Sequence, residues 1–580
     1  MKPHRDHMQI TSRLFKTTFL SGSLALLPIT AAMAAPVFDK IDNGFLNNGT
    51  GADNTKPLVN GSTTIINQNS NRLDLSWKDF SSNAGESIVF NQPNSGSIAI
   101  NRVTSTTPSI LAGAMSANGN IVVINPYGIT FTNTGQVNVG GLMATTAKSV
   151  TEKDLSATER LITFDKATGK IENNGTINAK TFVFMVSPTI KNTGTIKVEN
   201  PGGYIGLGAY SGSTMTLSTP QSGGTIKYLV QGNAFMGKTD LAKASIDNTG
   251  TLQAKSGIVV LSAQQATNLQ ASVINLSGVV DVSSFGTGYV GGQVQVGSSY
   301  TQDLKVKLSQ ANVDVNINGK IIADDANNSS LSGGVVVIDT KGDIKLASQS
   351  EISANGKGDG GAVGVYGGTV QSSGLINVNS TGSNSGGQVI LAGTKNVTVD
   401  QSSTINANGK DYGYGGEITV ISTKGTVVDN GTLNANTGAN GYAWAGTGHK
   451  NIYIEGLNKV TIGANAKLSS QGGKGGGFIY IDSAKKDVAQ AGDIYADATG
   501  AGEGGLAYIR AKGKIATGAG ATYSAIGGLV SGDGGGVIFE AGKAKGLTTQ
   551  ISAATTDVSA PHGESGSVDT NPYAKQPNLP

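Results

Sequence analysis

One pattern recurs through the second half of this 580-residue chain and limits what it can fold into: a short apolar strand, a glycine-rich loop, a pair of glycines, and a second alternating strand. It reads ISANGKGDGGAVGVYG from Ile352, INVNSTGSNSGGQVILAG from Ile376, INANGKDYGYGGEITVIS from Ile405, LSSQGGKGGGFIYID from Leu468, IYADATGAGEGGLAYIRA from Ile494 and YSAIGGLVSGDGGGVIFEA from Tyr523. VDVSSFGTGYVGGQVQVG from Val280 is an earlier relative, and LNANTGANGYAWAGTGHKNIYIEG from Leu433 is a copy without the glycine pair. Starts 24 to 35 residues apart predict one coil per repeat, with the variation in the loop. The glycine pair is read as backbone crowding at a corner where a Cβ would clash. Alternation in QVQV, QVIL, EITV and FIYI sends one side chain inward and the next outward.

A shorter repeat, N-x-G-x-[VIL]-x-[VA], precedes it as NTGQVNV at Asn133, NNGTINA at Asn173, NTGTIKV at Asn192 and NTGTLQA at Asn248. Its glycines, Gly135, Gly175, Gly194 and Gly250, step by 40, 19 and 56 residues, near multiples of a rung with three strands and three corners. One rung cannot bury its inward face, so rungs must stack and the stack must be capped. The fold class expected is all-β, a right-handed parallel β-helix of the single-stranded, pectin-lyase-like solenoid kind. At about 20 to 28 residues per coil and a strand spacing of about 4.8 Å, the chain predicts about 20 to 27 coils and a rod on the order of 100 to 130 Å long. The one helix expected is a short one around Thr151 to Arg160. Residues 561–580 contain prolines, lose the repeat, and are expected to form a loose tail or cap.

Between Ile66 and Thr146 every short strand ends in an Asn-led corner: Asn91-Gln92-Pro93, Asn101-Arg102-Val103 and Asn125-Pro126-Tyr127-Gly128. Asn and Gly tolerate left-handed backbone and Pro fixes turn entry, so these residues suit solenoid corners. The block resembles the haemagglutination-activity, or two-partner-secretion, domain of filamentous-haemagglutinin-like exoproteins. The likeness runs from about Ile41 to Val280 and is most specific from Trp77 to Thr146. The family's NPNGI pentapeptide stands here as Asn125, Pro126, Tyr127, Gly128 and Ile129, with Tyr127 replacing Asn; its other signature, NPNL, is not recognisable. The resemblance implies a partner, a TpsB-type outer-membrane β-barrel transporter that binds the N-terminal module and passes the rest of the chain. It makes Asn125 to Ile129, Asn101, Arg102, Val103 and Trp77 the candidate transporter-recognition residues.

Lys2, Arg5, Arg13 and Lys16, the apolar run from Thr17 to Thr30, and Ala32-Met33-Ala34 read as a signal peptide, residues 1–34. The remaining organisation expected is a secretion module over 35–280, a glycine-rich repeat rod over 281–560, and the tail. Removing the leader leaves 38 basic against 38 acidic residues, and charged residues are only 14% of the chain. That gives no electrostatic footprint for nucleic acid. No other stretch has the roughly 20 apolar residues of a transmembrane segment. The absence of cysteine from an exported chain fits one that threads a pore without cross-links and draws its stability from repetition.

The sequence points to no catalytic residue, cofactor or metal. The adjacent acidic pair Asp324-Asp325 reads as a solvated loop, and His449 and His562 stand far apart with no cysteine to join them. Gly232 to Thr239 matches the phosphate-loop pattern, with Val335 to Asp339 as a formal acidic strand, but only Asp240 to Ser245 follow where a long helix is needed. The glycine loops miss the register of a nonapeptide calcium roll. Trp77 and Trp444 read as buried rung residues, and Tyr412, Tyr414 and Tyr442 as outward rings able to stack on sugars or a host surface. The function expected is a secreted or surface-displayed exoprotein, an adhesin or matrix-interaction protein with a host-cell, glycan or matrix ligand. A nutrient-carrier-binding protein of the haem-carrier kind, using a loop over Gly438 to Gly448, is the first alternative, and a β-helix polysaccharide-active enzyme the second.

Overall fold

The computed structural model describes residues 35–41, 56–156, 159–165, 167–209, 215–220, 245–263, 272–297, 312–325, 331–443, 449–542, 549–550 and 554–570. Among these there is no helix, and strands of consecutive coils pair in parallel. Each full coil contributes a strand to three faces in turn. Thr432–Asn434, Ile452–Gly456 and Lys459–Ile462 make one such coil, and each pairs with its counterpart one turn on, Lys467–Ser469, Phe478–Ser483 and Val488–Gln490.

Register is fixed by inward columns of apolar side chains, because a one-residue slip would turn each column outward. On the first face Ile376, Ile405, Leu433, Leu468, Ile494 and Tyr523 stand in line, and on the third Val370, Val397, Val427, Val460, Val488 and Ile515. All of them are buried. Each contributes about 1.5–3 kcal/mol by burial, realised only when a neighbouring rung is present.

The paired glycines do what the repeat implies. A Cβ on Gly361 would lie 2.1 Å from the Gly334 carbonyl oxygen, one on Gly387 2.0 Å from that of Gly361, and one on Gly535 2.0 Å from that of Gly505. These carbonyls receive the next rung: Ala362 N–H donates to Gly334 O and Gln388 N–H to Gly361 O, both at 3.0 Å, and Gly536 N–H to Gly505 O at 2.9 Å. The copy that lacks the pair repairs the gap with a side chain. Asn451 is buried, its amide donates to Gly416 O (3.3 Å), and its Oδ1 accepts Phe478 N–H at 3.0 Å in place of the missing carbonyl.

An antiparallel cap closes the N-terminal end. Val37–Ile41 pairs with Arg72–Asp79, setting Phe38 opposite Trp77, and Leu58–Asn60 folds back on Thr63–Asn67. The cap removes the edge on which another strand would pair.

Three expectations change. Thr151 to Arg160 is not helical: Ser149–Ser156 and Glu159–Asp165 form an antiparallel pair, extended by Met215–Pro220. The strand-forming run Leu161-Ile162-Thr163-Phe164 finds a partner 50 residues on, and this long-range pairing overrides the local preference of the charged segment before it. Among the described residues seventeen strands stack on the first face, from Thr63–Asn67 to Thr555–Asp557, not 20 to 27. At about 4.8 Å each the stack is about 80 Å long, because excursions and glycine loops lengthen the average coil. The expected loose tail still adds a rung, since Ser567–Asp569 pairs with Gly536–Glu540 and Gly566 stacks on Gly535. The expected leader lies outside the described residues.

Candidate functional site: an edge of the first rungs

The nine residues singled out in the sequence gather at one edge. The second-face strands Arg72–Asp79, Ile98–Val103 and Asn120–Ile124 are successive neighbours, with Trp77 opposite Val103 and Arg102 opposite Ile124. Trp77, Val103 and Asn125 therefore reach the corner between the second and third faces in three consecutive rungs.

Asn125 organises that corner. Gly128 N–H donates to Asn125 O at 3.1 Å, closing a β-turn with Pro126 at the position where its fixed φ is favoured. The Asn125 Oδ1 accepts Tyr127 N–H (3.0 Å), and its Nδ2 donates to Thr107 O and Ser109 Oγ, both 3.0 Å. Gly128 has φ +128°, so it takes the chain out of the turn in a conformation that other residues avoid. Its carbonyl receives Ser109 N–H at 3.0 Å, and Ile129 points into the core. The next coil closes over the turn: Thr168 Oγ1 donates to Pro126 O (2.9 Å), and a Cβ on Gly169 would lie 2.7 Å from Gly128 N.

One rung earlier, Asn101 is buried and accepts Trp77 Nε1–H at 3.0 Å, while its amide donates to Ala99 O and Val122 O. Trp77 packs on Phe80 and edge-on against Phe38 of the cap, at centroid distances of 5.2 and 5.8 Å. Asn101, Val103, Asn125, Gly128, Ile129 and Trp77 are buried, Arg102 and Pro126 are half-buried, and Tyr127 is 52% exposed. The motif is thus mainly the internal scaffold of an edge, with Tyr127 at its surface. Thr107, Ser109, Thr145 and Thr168 complete the turn, and nothing in their local sequence signals it.

This same region carries the family likeness. Residues 44–287 match the TPS secretion domain. The chain carries a two-partner-secretion domain there. It is also similar to two heme/hemopexin-binding proteins of Haemophilus influenzae. One, from strain ATCC 51907 / DSM 11121 / KW20 / Rd, is 26% identical over 295 residues, 46% of this chain and 32% of the relative. The other is 37% identical over 81 residues, 14% of this chain and 9% of the relative. The chain therefore matches a third or less of each curated relative's length. Among solved structures, the HMW1 secretion domain from Haemophilus influenzae overlays with a TM-score of 0.44 at 22% identity, covering 71% of this chain and 95% of that one. The filamentous hemagglutinin secretion domain overlays with a TM-score of 0.26 at 15% identity, covering 66% and 98%.

Asp324 and Asp325 are not a solvated loop: Asp324 accepts Ser353 Oγ (2.9 Å) and Asn355 N–H (2.6 Å), and Asp325 accepts Ser284 Oγ (3.0 Å). Burial raises the Asp324 carboxyl above its ordinary range. The pair ties adjacent rungs together. Gly232 to Thr239 and Trp444 lie outside the described residues, and Val335–Asp339 is an ordinary second-face strand. His449 Nδ1 lies 2.8 Å from Glu417 at the surface.

Proposed function

We propose that the N-terminal module, about residues 35–280, docks on an outer-membrane β-barrel of the two-partner type after crossing the periplasm, and that the coils of 281–560 are displayed outside the cell as an adhesin or matrix-interaction surface. The observation that supports this is the direction of dependence within the stack. The first rungs are closed by a cap, and each later rung finds its backbone partners and apolar column on the rung before it. A chain emerging N-terminus first could add coils one at a time, each burying apolar surface and biasing passage outward without nucleotide hydrolysis. Asn125 to Ile129, Asn101, Arg102, Val103 and Trp77 set the edge the barrel reads, with Tyr127 as its exposed contact. Co-expression with the partner barrel tests this. The chain should reach the medium only when the barrel is present, and a variant with Asn125 and Gly128 both replaced by Ala should stay in the periplasm. Normal release of that variant, or release without the barrel, would falsify the assignment.

The names of the two curated relatives favour one second reading, capture of a haem-carrying host protein. The loop over Gly438 to Gly448 is its candidate contact, though 444–448 lie outside the described residues. Retention of haem-loaded hemopexin by the immobilised chain would support it, and passage without retention would remove it.

A further inference from the structure

We propose that the glycine-rich edge between the first and second faces carries a carbohydrate-binding platform formed by Tyr412, Tyr414 and Tyr442, taking a neutral polysaccharide chain. This rests on the adhesin reading above and names its ligand class.

The glycine loops along this edge form a narrow ladder of their own. Tyr414 is bridged in parallel to Tyr442, Tyr442 to Gly475, and Gly475 to Glu503. One backbone bond repeats down it: Gly386 N–H to Tyr414 O (3.0 Å), Gly415 N–H to Tyr442 O (3.3 Å), Ala443 N–H to Gly475 O (3.0 Å) and Gly476 N–H to Glu503 O (3.0 Å). The rings therefore stand on ordered main chain. The same bond pattern places Ser385, Gly475 and Glu503 in neighbouring rungs at the position that Tyr414 and Tyr442 occupy, so the fold does not require an aromatic there.

The three side chains are nevertheless 68%, 44% and 48% exposed, large rings in water on two neighbouring rungs that stability does not explain. No hydroxyl of the three is paired with a protein group among the described residues. The Tyr442 ring lies against bare main chain, since a Cβ on Gly475 would come within 3.2 Å of it.

The charges around the rings balance, Lys410 and Lys474 against Asp411 and Glu503. Lys474 Nζ stands 5.9 Å from the Tyr412 ring centre, and Asp411 accepts Ser383 Oγ at 3.2 Å. Exposed aromatic faces with unused hydroxyls and no net charge beside them suit the C–H face and hydroxyls of a neutral sugar. The backbone positions that carry Tyr414 and Tyr442 are one rung apart, about 4.8 Å, which is close to the advance of one pyranose ring. A second aromatic column, Tyr453, Tyr480 and Tyr508, lacks this availability. Lys450 Nζ covers the Tyr480 ring at 3.9 Å, and the Tyr453 and Tyr508 hydroxyls are bonded to Glu455 and Glu540.

Affinity electrophoresis of the intact secreted chain tests the proposal, using gels that contain galactomannan, xyloglucan, β-glucan or dextran, with alginate and heparin as anionic counterparts. At least one neutral polymer should retard the wild type. Each of Tyr412→Ala, Tyr414→Ala and Tyr442→Ala should weaken binding about five-fold or more, and the triple variant should migrate as in a polymer-free gel. Phe at the same positions should retain most of the retardation. A wild type that no neutral polymer retards, or a triple Ala variant retarded like wild type, overturns the platform. Host-cell binding measured in parallel separates the two readings. Equal adhesion by wild type and triple variant removes the platform and leaves the adhesin, whereas no adhesion by either removes the adhesin. Adhesion lost in the variant, with no polysaccharide retarding the wild type, assigns the rings to a protein partner and overturns the carbohydrate assignment.

Discussion

Two corners of the stack are held by different chemistry. Between Asn173 and Asn248 the corner from the third to the first face carries a buried side-chain ladder beside its glycines: Asn173 Nδ2 donates to Asn192 Oδ1 (2.8 Å), and Asn192 Nδ2 to Asn248 Oδ1 (2.7 Å). The corner from the first to the second face is held by main chain, glycine over glycine from Gly203 to Gly566, except where Asn451 takes a glycine's place. A side-chain ladder needs the same amide at each level, since a missing member strands its neighbours' buried groups. A backbone ladder needs only the absence of a Cβ, so the loop before it is free to vary. Keeping this backbone corner while varying its loops is how one scaffold can present Tyr412, Tyr414 and Tyr442 on two rungs and Ser385 or Gly475 on the next. The interiors differ too. Fully buried aromatics occur at the ends of the stack, Trp77, Phe80, Phe90, Phe131 and Phe184 at one and Tyr523 and Phe539 at the other, with smaller aliphatic columns between.

The largest effect should come from the capped end. Trp77→Ala removes the largest fully buried side chain and the donor to Asn101 Oδ1, for a loss of about 3–5 kcal/mol. If the early rungs are a self-contained foundation, hydrogen exchange should show lost protection in Arg72–Asp79 and Ile98–Val103, with rungs beyond Glu351–Ser353 still protected. Uniform loss along the chain would break the distinction between the two regions.

Asp429 tests the side-chain ladder from the other direction. Asp429-Asn430-Gly431 occupies a later turn of the corner where Asn173-Asn174-Gly175 stands, and Gly431 N–H donates to Asp429 Oδ1 (2.9 Å) as Gly175 N–H does to Asn173 Oδ1 (3.2 Å). Its other oxygen, Oδ2, is buried without a partner. Burial pushes the carboxyl up to about 7 from an ordinary 3.8. Between those values the folded chain holds a proton that the unfolded chain has released. Stability should therefore fall as pH rises from about 4 to 7 and level off above, by at most about 4 kcal/mol. Asp429→Asn restores the amide of the early rungs and should be more stable than wild type at pH 8. Its local hydrogen exchange should show no such slope, and a variant with the wild-type slope would remove Asp429 as its source.

The backbone ladder gives a smaller effect. Gly387→Ala places a Cβ 2.0 Å from Gly361 O and should cost about 1–3 kcal/mol in its own rung and the two beside it. At Gly96 the nearest atom to a Cβ is the Asn94 side chain, at 3.2 Å, so Gly96→Ala should be nearly neutral. Urea-dependent proteolysis near each site distinguishes the two.

How much of this was legible in the sequence follows the same division. The paired glycines and the alternating strands announced the stack, since both are local consequences of coil geometry, and in-register columns such as Ile376 over Ile405 follow directly from them. The antiparallel strands Ser149–Ser156 and Glu159–Asp165 were not legible, because their stability is supplied by Met215–Pro220 far along the chain, and their charged turn reads as helix when taken alone. The coil number was overestimated because excursions from the stack carry no repeat of their own. At the candidate edge the pentapeptide was recognisable, but the partners that make Asn125 rigid, Thr107, Ser109 and Thr145, stand on other rungs and have no pattern of their own. Asp324-Asp325 misled for the same reason: an acidic pair in a polar loop looks solvated until the next coil delivers Ser353 and Asn355 to it.

The smallest effect on stability is the most telling for export. Tyr127 is the exposed member of a turn whose other residues are committed to the fold. Tyr127→Ala should change stability by no more than about 0.5 kcal/mol. If the barrel reads the outside of this edge, the same variant should lower the secreted fraction in a strain with the partner barrel while the periplasmic pool stays foldable. If secretion follows only the rigidity of the corner, Tyr127→Ala should be released like wild type and Asn125→Ala should be retained. Comparing secreted fractions for these two variants therefore separates recognition of a surface from dependence on a scaffold, which the shared motif otherwise confounds.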